Sequence, residues 1–293
     1  MSSRLQRRKW WSHLLTVLSG LCVAIVLVPL VSVIYAAARI GGPALSLSFL
    51  TSNPPEACTP SPGITCAVGG IGPAIQGTVI VVGVAAAIAV PIGLAAAIFA
   101  AEYPTRWLGR AISFTADVLT GLPSIIAGVF IYLLLVIYDP AIVFSVISGA
   151  LALSVIMIPI VTRTTELSLR TVPQELREAA LALGIPKWRT TLQIVVATAL
   201  PGVLTGTLLA VMRAAGEAAP LLFTLFGSRL GFEGFNRPAQ ALPLLIYNFA
   251  ESGAENWREL AWGASLILIL MILVTSVLSR LVIARMVRRM RGS

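Results

Sequence analysis

Six long apolar runs constrain the fold of this chain more than any other feature of its sequence. Each run exceeds the roughly 20 residues that an α-helix needs to cross the hydrocarbon core of a bilayer. Hydrophobic residues make up 57% of the 293 positions and charged residues only 11%, which leaves no stretch with the composition of a sizeable soluble domain. We therefore predict an all-α, polytopic membrane protein with six transmembrane helices, at residues 14–38, 73–101, 111–137, 141–162, 191–226 and 259–283.

Positive charges are distributed unequally between the two sides of this topology. An even number of spans places both termini on one side, which carries sixteen Lys and Arg residues against four on the other. Because cytoplasmic loops are enriched in Lys and Arg, we predict that both termini lie in the cytoplasm. The positive residues behind the net charge of +9 are scattered over several loops, so they indicate topology and not a nucleic-acid partner. Membrane lipid is the expected surrounding of the chain.

The first long loop of this topology lies outside the cytoplasm, in an oxidising compartment. It contains Cys58 and Cys66, eight residues apart in a Pro- and Gly-rich segment, and this spacing predicts a disulfide. The predicted parts of the chain are the N-terminus with the first helix at 1–38, the extracytoplasmic loop at 39–72, a five-helix core at 73–283 with a cytoplasmic loop at 163–190, and a basic cytoplasmic tail at 284–293.

The longest polar interruption of the apolar pattern runs from Thr171 to Pro201. Thr171 and Gln174 have the spacing of a capping box, and Gly184 followed by Pro186 is typical of a helix end, so a short helix is predicted between them. Spacings of three and four residues give this helix one apolar face, formed by Leu176, Ala179, Ala180 and Leu183. It is either a surface helix of a cytoplasmic loop or a docking helix for a soluble partner.

Charged residues inside the predicted spans are candidate functional residues, because a charge at the bilayer centre costs at least about 2.5–3.5 kcal/mol. Arg213 and Glu217 are four residues apart and lie on one face of the predicted fifth helix. They form either a packing pair or a substrate site in which Arg213 contacts an oxyanion and Glu217 holds or releases that arginine. Asp117 is either a path residue or a helix-end cap. Ser124 follows a Gly-Leu-Pro break at 121–123, and breaks of this kind bend helices or line cavities.

The residues needed for enzymatic chemistry are missing from the sequence. The phosphate-binding pattern G-x-x-x-x-G-K-[ST] does not occur, so the chain cannot hold ATP and needs an external source of energy. The single histidine excludes an H-E-x-x-H zinc site, and no set of Cys, His and carboxylates has the spacing of metal ligands. We therefore predict a transport subunit with no cofactor or metal of its own, and not an enzyme.

From Glu178 to its end at Pro201, the polar interruption resembles the E-A-A loop of permease subunits of bacterial ABC importers. The matching residues are Glu178, Ala179, Ala180, Gly184, Ile194, Leu200 and Pro201. The loop pattern is E-A-A-x₃-G-x₉-I-x-L-P, and this chain departs from it by having five residues, and not one, between Ile194 and the leucine. Three further segments are similar to permeases of the phosphate-specific branch, at 69–78, 122–128 and the R-A-A-G-E-A-A-P-L run of 213–221.

The resemblance implies a type I ABC importer permease fold, a place in the bacterial inner membrane, and ATP-driven phosphate import by alternating access. The implied partners are a homologous C-type permease, two ATPase subunits that bind ATP and Mg²⁺, and an extracytoplasmic phosphate-binding protein. The residues implied to couple this chain to the ATPase are Leu176, Glu178, Ala179, Ala180, Leu183 and Gly184. A permease for sulfate or molybdate is the nearest alternative. An ion-coupled secondary transporter is less favoured, because the sequence has no internal repeat.

Overall fold

The computed structural model describes residues 3–59, 66 and 69–291. In this part of the chain one isolated β-bridge joins Phe226 to Ala239, and all other regular structure is helical. The α-helices, numbered in chain order, are α1 Ser3–Gly41, α2 Leu47–Thr51, α3 Gly72–Glu102, α4 Trp107–Thr120, α5 Ser124–Tyr138, α6 Val146–Arg170, α7 Gln174–Ala182, α8 Lys187–Arg189, α9 Val196–Ala215, α10 Leu221–Thr224, α11 Leu242–Ala250 and α12 Glu255–Arg291.

Five helical segments among the described residues are long and apolar enough to cross a membrane. Four of them are α1, α3, α6 and α12. The fifth, Lys187–Ala215, joins α8 to α9 through a π-helical turn at Thr190–Val195. The adjacent helices α4 and α5 supply a sixth crossing if the pair is taken as one broken span.

The centre of the fold is the packing of α3 against α6, and α9 packs against both. Small residues allow this close approach. A Cβ atom added to Gly93 of α3 would lie 2.8 Å from the Val161 side chain of α6, and one added to Gly206 of α9 would lie 2.3 Å from the Thr164 side chain. The buried apolar side chains of this core include Val81, Ala85, Ala89, Val146, Leu153, Met157 and Ala214.

A second core joins the start of α3 to α11 and α12. The buried residues of this core include Phe49, Ile71, Leu245, Leu260 and Ala264. α11 itself lies between the predicted fifth and sixth spans, in a segment that the sequence predicts as a loop. α1 meets this region only near its C-terminal end, where a Cβ atom on Gly41 would lie 2.6 Å from the Trp262 carbonyl oxygen. Every side chain from residue 7 to residue 35 of α1 is exposed, which leaves an apolar surface suited to lipid.

The described part of the 39–72 loop is attached to the start of α12. The Asn256 side chain donates to the Glu56 carbonyl oxygen at 2.9 Å and accepts a hydrogen bond from the Cys58 backbone N–H at 3.0 Å. Cys58 and Cys66 form the disulfide that their spacing predicts, with Cα atoms 5.7 Å apart. The loop is therefore held both by this covalent link and by hydrogen bonds to α12.

The predicted third transmembrane span at 111–137, with its break at 121–123, corresponds to a broken pair of helices in the structure. The structure contains two shorter helices, α4 and α5, bent by 106° relative to each other. Pro123 causes the break, because proline has no N–H to donate and disfavours helical geometry in the residue before it. The sequence indicates a bend at this position, and the structure shows a full change of direction.

Two other predicted helices have different ends in the structure. α6 begins at Val146, where the Ser145 hydroxyl accepts a hydrogen bond from the Ser148 backbone N–H at 3.1 Å, and it continues to Arg170, well past the predicted end at 162. α9 runs without interruption through Pro201 and ends at Ala215, well before the predicted end at 226. Hydropathy places the end of the predicted fifth helix too late, because the turn and α10 that follow α9 are themselves apolar.

Candidate functional site

The short helix predicted in the polar interruption is α7, but its start differs from the prediction. Thr171 is the C-terminal cap of α6, and its hydroxyl donates to the Ser168 carbonyl oxygen at 2.7 Å. The predicted capping box therefore does not form. α7 begins at Gln174, directly after Pro173, with no side chain bonded to its first N–H groups.

The end of α7 agrees with the prediction. Gly184 has φ of +79°, a left-handed conformation that glycine adopts without the steric cost of a Cβ atom. The Ile185 N–H donates to the Ala180 carbonyl oxygen at 3.1 Å, and the Gly184 N–H donates to the Leu181 carbonyl oxygen at 2.9 Å. These two bonds satisfy carbonyl groups that a helix end leaves without partners.

The outer side of this helix and its C-terminal flank is apolar and exposed, and we call it the α7 surface. Its exposed apolar residues are Leu176, Leu181, Leu183 and Trp188, of which Leu183 is 82% exposed. Glu178 and Ala179 are also exposed, whereas Ala180 is buried within the chain. Of the four residues of the predicted apolar face, Leu176, Ala179 and Leu183 therefore lie on the surface, and Ala180 does not.

Arg177 attaches α7 to the ends of two transmembrane helices. Its guanidinium forms an ion pair with Glu102, the last residue of α3, and its Nη2 donates to the Leu169 carbonyl oxygen of α6 at 2.8 Å. The Arg177 side chain is 15% exposed and the Glu102 side chain 9%. A carboxylate at the C-terminal end of a helix faces the negative end of the helix dipole, so the arginine relieves an unfavourable interaction there.

A cavity of about 260 Å³ lies beside the break between α4 and α5 and is lined on its other side by α6 and α9. Arg213 is the charged residue among its described lining, and its side chain is 49% exposed. Ser124 and Thr120 line the same cavity, and the other lining residues are apolar. The structure therefore brings Ser124 and Arg213, two of the predicted path residues, to one cavity.

Glu217 lies beside Arg213 as the sequence predicts, although not on the same helix. Its Oε1 is 3.5 Å from the Arg213 Nε, across the turn that follows α9. This turn is held in place by α5, because a Cβ atom on Gly128 would lie 2.6 Å from the Pro220 Cα. Close backbone packing thus holds the turn that carries Glu217 against α5.

Asp117, the fourth predicted path residue, belongs to a different cluster. Its Oδ1 is 2.9 Å from the Arg163 Nε, and it does not line the cavity that contains Arg213. Behind this pair lies Glu166, whose side chain is fully buried. The Glu166 carboxylate is 3.1 Å from Arg163 and 2.6 Å from Arg170, and it accepts a hydrogen bond from Ser113 at 2.7 Å. Residues of α4 and α6 are therefore joined by one charged network.

Sequence reasoning missed Glu166, the centre of this network. The predicted fourth helix ends at 162, and the residues that follow it belong to the predicted cytoplasmic loop at 163–190. The signal was the spacing of Arg163, Glu166 and Arg170, which alternate in sign at three and four residues, as charges on one face of a helix do.

The sequence is similar to those of several curated phosphate transport permeases. It is 37% identical over 289 residues to the phosphate transport system permease protein PstA of Yersinia pestis, covering 97% of this chain and 95% of the relative. It is 42% identical over 218 residues to PstA of Xylella fastidiosa, covering 74% and 76%. It is also 42% identical over 205 residues to PstA 1 of Mycobacterium tuberculosis, covering 70% and 67%.

Solved structures of ABC transporters share the fold. A chain of the MetNI methionine ABC transporter in an inward-facing conformation matches with a TM-score of 0.52 at 18% identity, covering 75% of this chain and 94% of that chain. A chain of an amino acid ABC transporter crystallised with histidines matches with a TM-score of 0.52 at 16% identity, covering 75% and 92%. The predicted all-α permease fold is therefore confirmed. Residues 89–292 also match the family model of binding-protein-dependent transport system inner membrane components, and the chain belongs to that family.

Proposed function

We propose that this chain is a permease subunit of an ATP-driven importer that carries inorganic phosphate across the bacterial inner membrane. The relatives named above are phosphate permeases, and one of them matches almost the whole chain. The observation in the structure that supports this substrate is Arg213, a half-exposed guanidinium in the wall of an otherwise largely apolar cavity. A guanidinium presents paired N–H donors that match the oxygens of a phosphate.

The complex that we propose contains this chain, a homologous second permease, two ATPase subunits and an extracytoplasmic phosphate-binding protein. Sixteen of the Lys and Arg residues lie on the side of the termini and of α7, so both termini and α7 face the cytoplasm. The α7 surface is then presented to the ATPase, where Leu176 and Leu183 supply apolar contacts and Glu178 a charged one. ATP and Mg²⁺ bind to the ATPase and not to this chain.

In the proposed mechanism Glu217 keeps the Arg213 guanidinium oriented between transport cycles. A phosphate that enters the cavity competes with the Glu217 carboxylate for the same N–H donors, and it leaves when the helices around it move. ATP-driven closure of the ATPase dimer moves α7, and this motion reaches α9 through the short segment that links the two helices. Ser124 lines the same cavity and offers a hydroxyl to the passing anion.

The test is uptake of labelled phosphate by the reconstituted complex, with sulfate and molybdate as competitors. Uptake that requires ATP and the binding protein, and that an excess of sulfate or molybdate does not reduce, supports a phosphate importer. Preferential uptake of sulfate or molybdate overturns this conclusion and supports a permease for that oxyanion. Uptake without any ATPase subunit supports an ion-coupled carrier.

The role of Arg213 has its own test. Arg213→Gln removes the charge and keeps a hydrogen-bonding side chain, so we expect phosphate uptake to be lost while the ATPase still co-purifies with the permeases. Arg258→Gln, on an exposed arginine outside the cavity, is the matched control and is expected to transport normally. If Arg213→Gln instead prevents assembly, the arginine serves packing and not substrate contact.

A further inference from the structure

We propose that Arg177 is a positioning residue that fastens the docking helix α7 to the transmembrane helices α3 and α6, so that motion imposed on α7 by the ATPase is transmitted to them. The proposal rests on the proposed function, since it presupposes that α7 receives the ATPase. It concerns a residue on the inner side of α7, which touches the membrane helices and not the α7 surface offered to the partner.

α7 has little other attachment to the transmembrane helices. Ala180 is its one buried residue, and the leucines of its outer side are exposed. Close backbone contacts of α7 are made mainly with the π-helical turn at Thr190–Val195, which leads into α9. Residues 171–173 connect α7 directly to α6, and the π-helical turn connects it to α9. Without a further link, α3 could stay behind when α7 is displaced.

The Arg177 side chain supplies the missing link. One guanidinium nitrogen pairs with Glu102 at the end of α3, and the other donates to the Leu169 carbonyl oxygen at the end of α6. The planar, two-pronged geometry of a guanidinium holds both partners in fixed directions, which a lysine cannot do. The Arg177 side chain therefore joins α7 both to α3, which is far from it in sequence, and to the end of α6, the helix that precedes it.

The burial of this link makes it stiff. Exposed ion pairs are weakened by water and salt and exchange partners readily. Arg177 and Glu102 are both largely shielded, and the Leu169 residue that accepts the second bond is fully buried. Breaking the pair would leave a buried charge without a partner, so the helices are held together as α7 moves.

The experiment uses the whole complex and separates attachment of the ATPase from transmission of its motion. For Arg177→Met, co-purification of the ATPase subunits, the rate of ATP hydrolysis with phosphate-loaded binding protein, and phosphate uptake in proteoliposomes are measured together. We expect the ATPase to bind as in the wild type and the phosphate imported per ATP hydrolysed to fall by about ten-fold, within the usual range of coupling between sites.

Three further variants keep the proposal open to refutation. Glu102→Gln lies outside α7, tests the same link from the other side, and is expected to show the same uncoupling. Arg177→Lys keeps the charge but not the two-pronged geometry, so an intermediate yield per ATP is expected. Arg110→Met removes an exposed arginine of α4, outside α7 and its surface, and is expected to behave as the wild type.

The outcomes distinguish this inference from the proposed function. A wild-type complex without ATP-dependent phosphate uptake overturns the proposed function and leaves the role of Arg177 without a basis. A working wild type with an Arg177→Met variant whose yield per ATP stays within about two-fold, less than the usual size of such coupling, overturns the inference alone. Loss of ATPase binding in both Arg177→Met and Glu102→Gln also overturns it, because the pair would then shape the docking surface and not transmit motion.

Discussion

Replacing Glu166 tests how much the buried charge network contributes to the stability of the fold. Glu166→Leu removes a carboxylate that is fully buried and bonded to Arg163, Arg170 and Ser113. Losing one partner of a buried ion pair costs roughly 3–5 kcal/mol, because the remaining charge stays buried without compensation. Here the remaining charges are partly compensated. Arg163 keeps its contact with Asp117, and Arg170 is about half exposed to solvent.

The expected cost is therefore at the lower end of that range, about 3 kcal/mol. Glu166→Gln keeps the shape and one acceptor oxygen for the Ser113 hydroxyl, so we expect about 1.5 kcal/mol for the loss of its charge-assisted bonds. At an unfolding entropy of about 2.1 cal/mol/K per residue, a cost of about 3 kcal/mol lowers the midpoint of thermal unfolding of this 293-residue chain by about 5 °C.

The assay is thermal unfolding of the purified chain in detergent, followed by tryptophan fluorescence, at low and high salt. Glu175→Leu is the matched control, since Glu175 is an exposed carboxylate on α7. The difference between the two variants should persist at high salt, because a buried network is screened little by ions. A Glu166→Leu midpoint equal to or above that of the control would refute the reasoning. In that case apolar packing would replace the network without loss, as it does in some buried ion pairs.

Three further predictions follow from close packing, from the disulfide and from the α7 surface. Gly77→Ala places a Cβ atom 1.8 Å from the Gln240 carbonyl oxygen, so we expect a destabilisation of about 1–3 kcal/mol in the same unfolding assay. An unchanged midpoint would show that this contact relaxes freely. Thiol labelling of the unreduced protein should leave Cys58 and Cys66 unmodified, and labelling of both would contradict the disulfide. Combining Glu178→Arg with Gly184→Pro should abolish phosphate-stimulated ATP hydrolysis and uptake, because it reverses an exposed charge and places proline where φ is positive. Wild-type rates in that variant would exclude α7 as the coupling element.

Long uninterrupted apolar runs allowed accurate prediction of helices from sequence. The run predicted at 73–101 is α3, Gly72–Glu102, because the run stays apolar over its whole length and Pro91 within it does not end the helix. The same reasoning failed after Ala215, where the chain turns while its side chains stay apolar. Hydropathy measures whether residues avoid water and not whether the backbone continues, so Gly216 and Pro220 were the better guides there.

The candidate site was predictable only where its residues are neighbours in sequence. Arg213 and Glu217 are four residues apart, so the turn that follows α9 still leaves them close enough to form an ion pair. Three complete helices, α4, α5 and α6, lie between Glu102 and Arg177 in the sequence, and nothing in either segment predicts that the other lies beside it. Pairings of this kind depend on how the helices pack, and one sequence taken alone does not contain that information in a local pattern.

The break between α4 and α5 has a consequence for how the protein enters its membrane. At 14 and 15 residues, the two helices are each about 21–23 Å long, short of the hydrocarbon thickness of about 30 Å. α4 also carries Asp117, whose counter-charge Arg163 belongs to α6 and is synthesised later. We therefore expect the insertion machinery to hold α4 and α5 at the bilayer edge until α6 emerges. The topology of this stretch would then be decided by the helix that follows it.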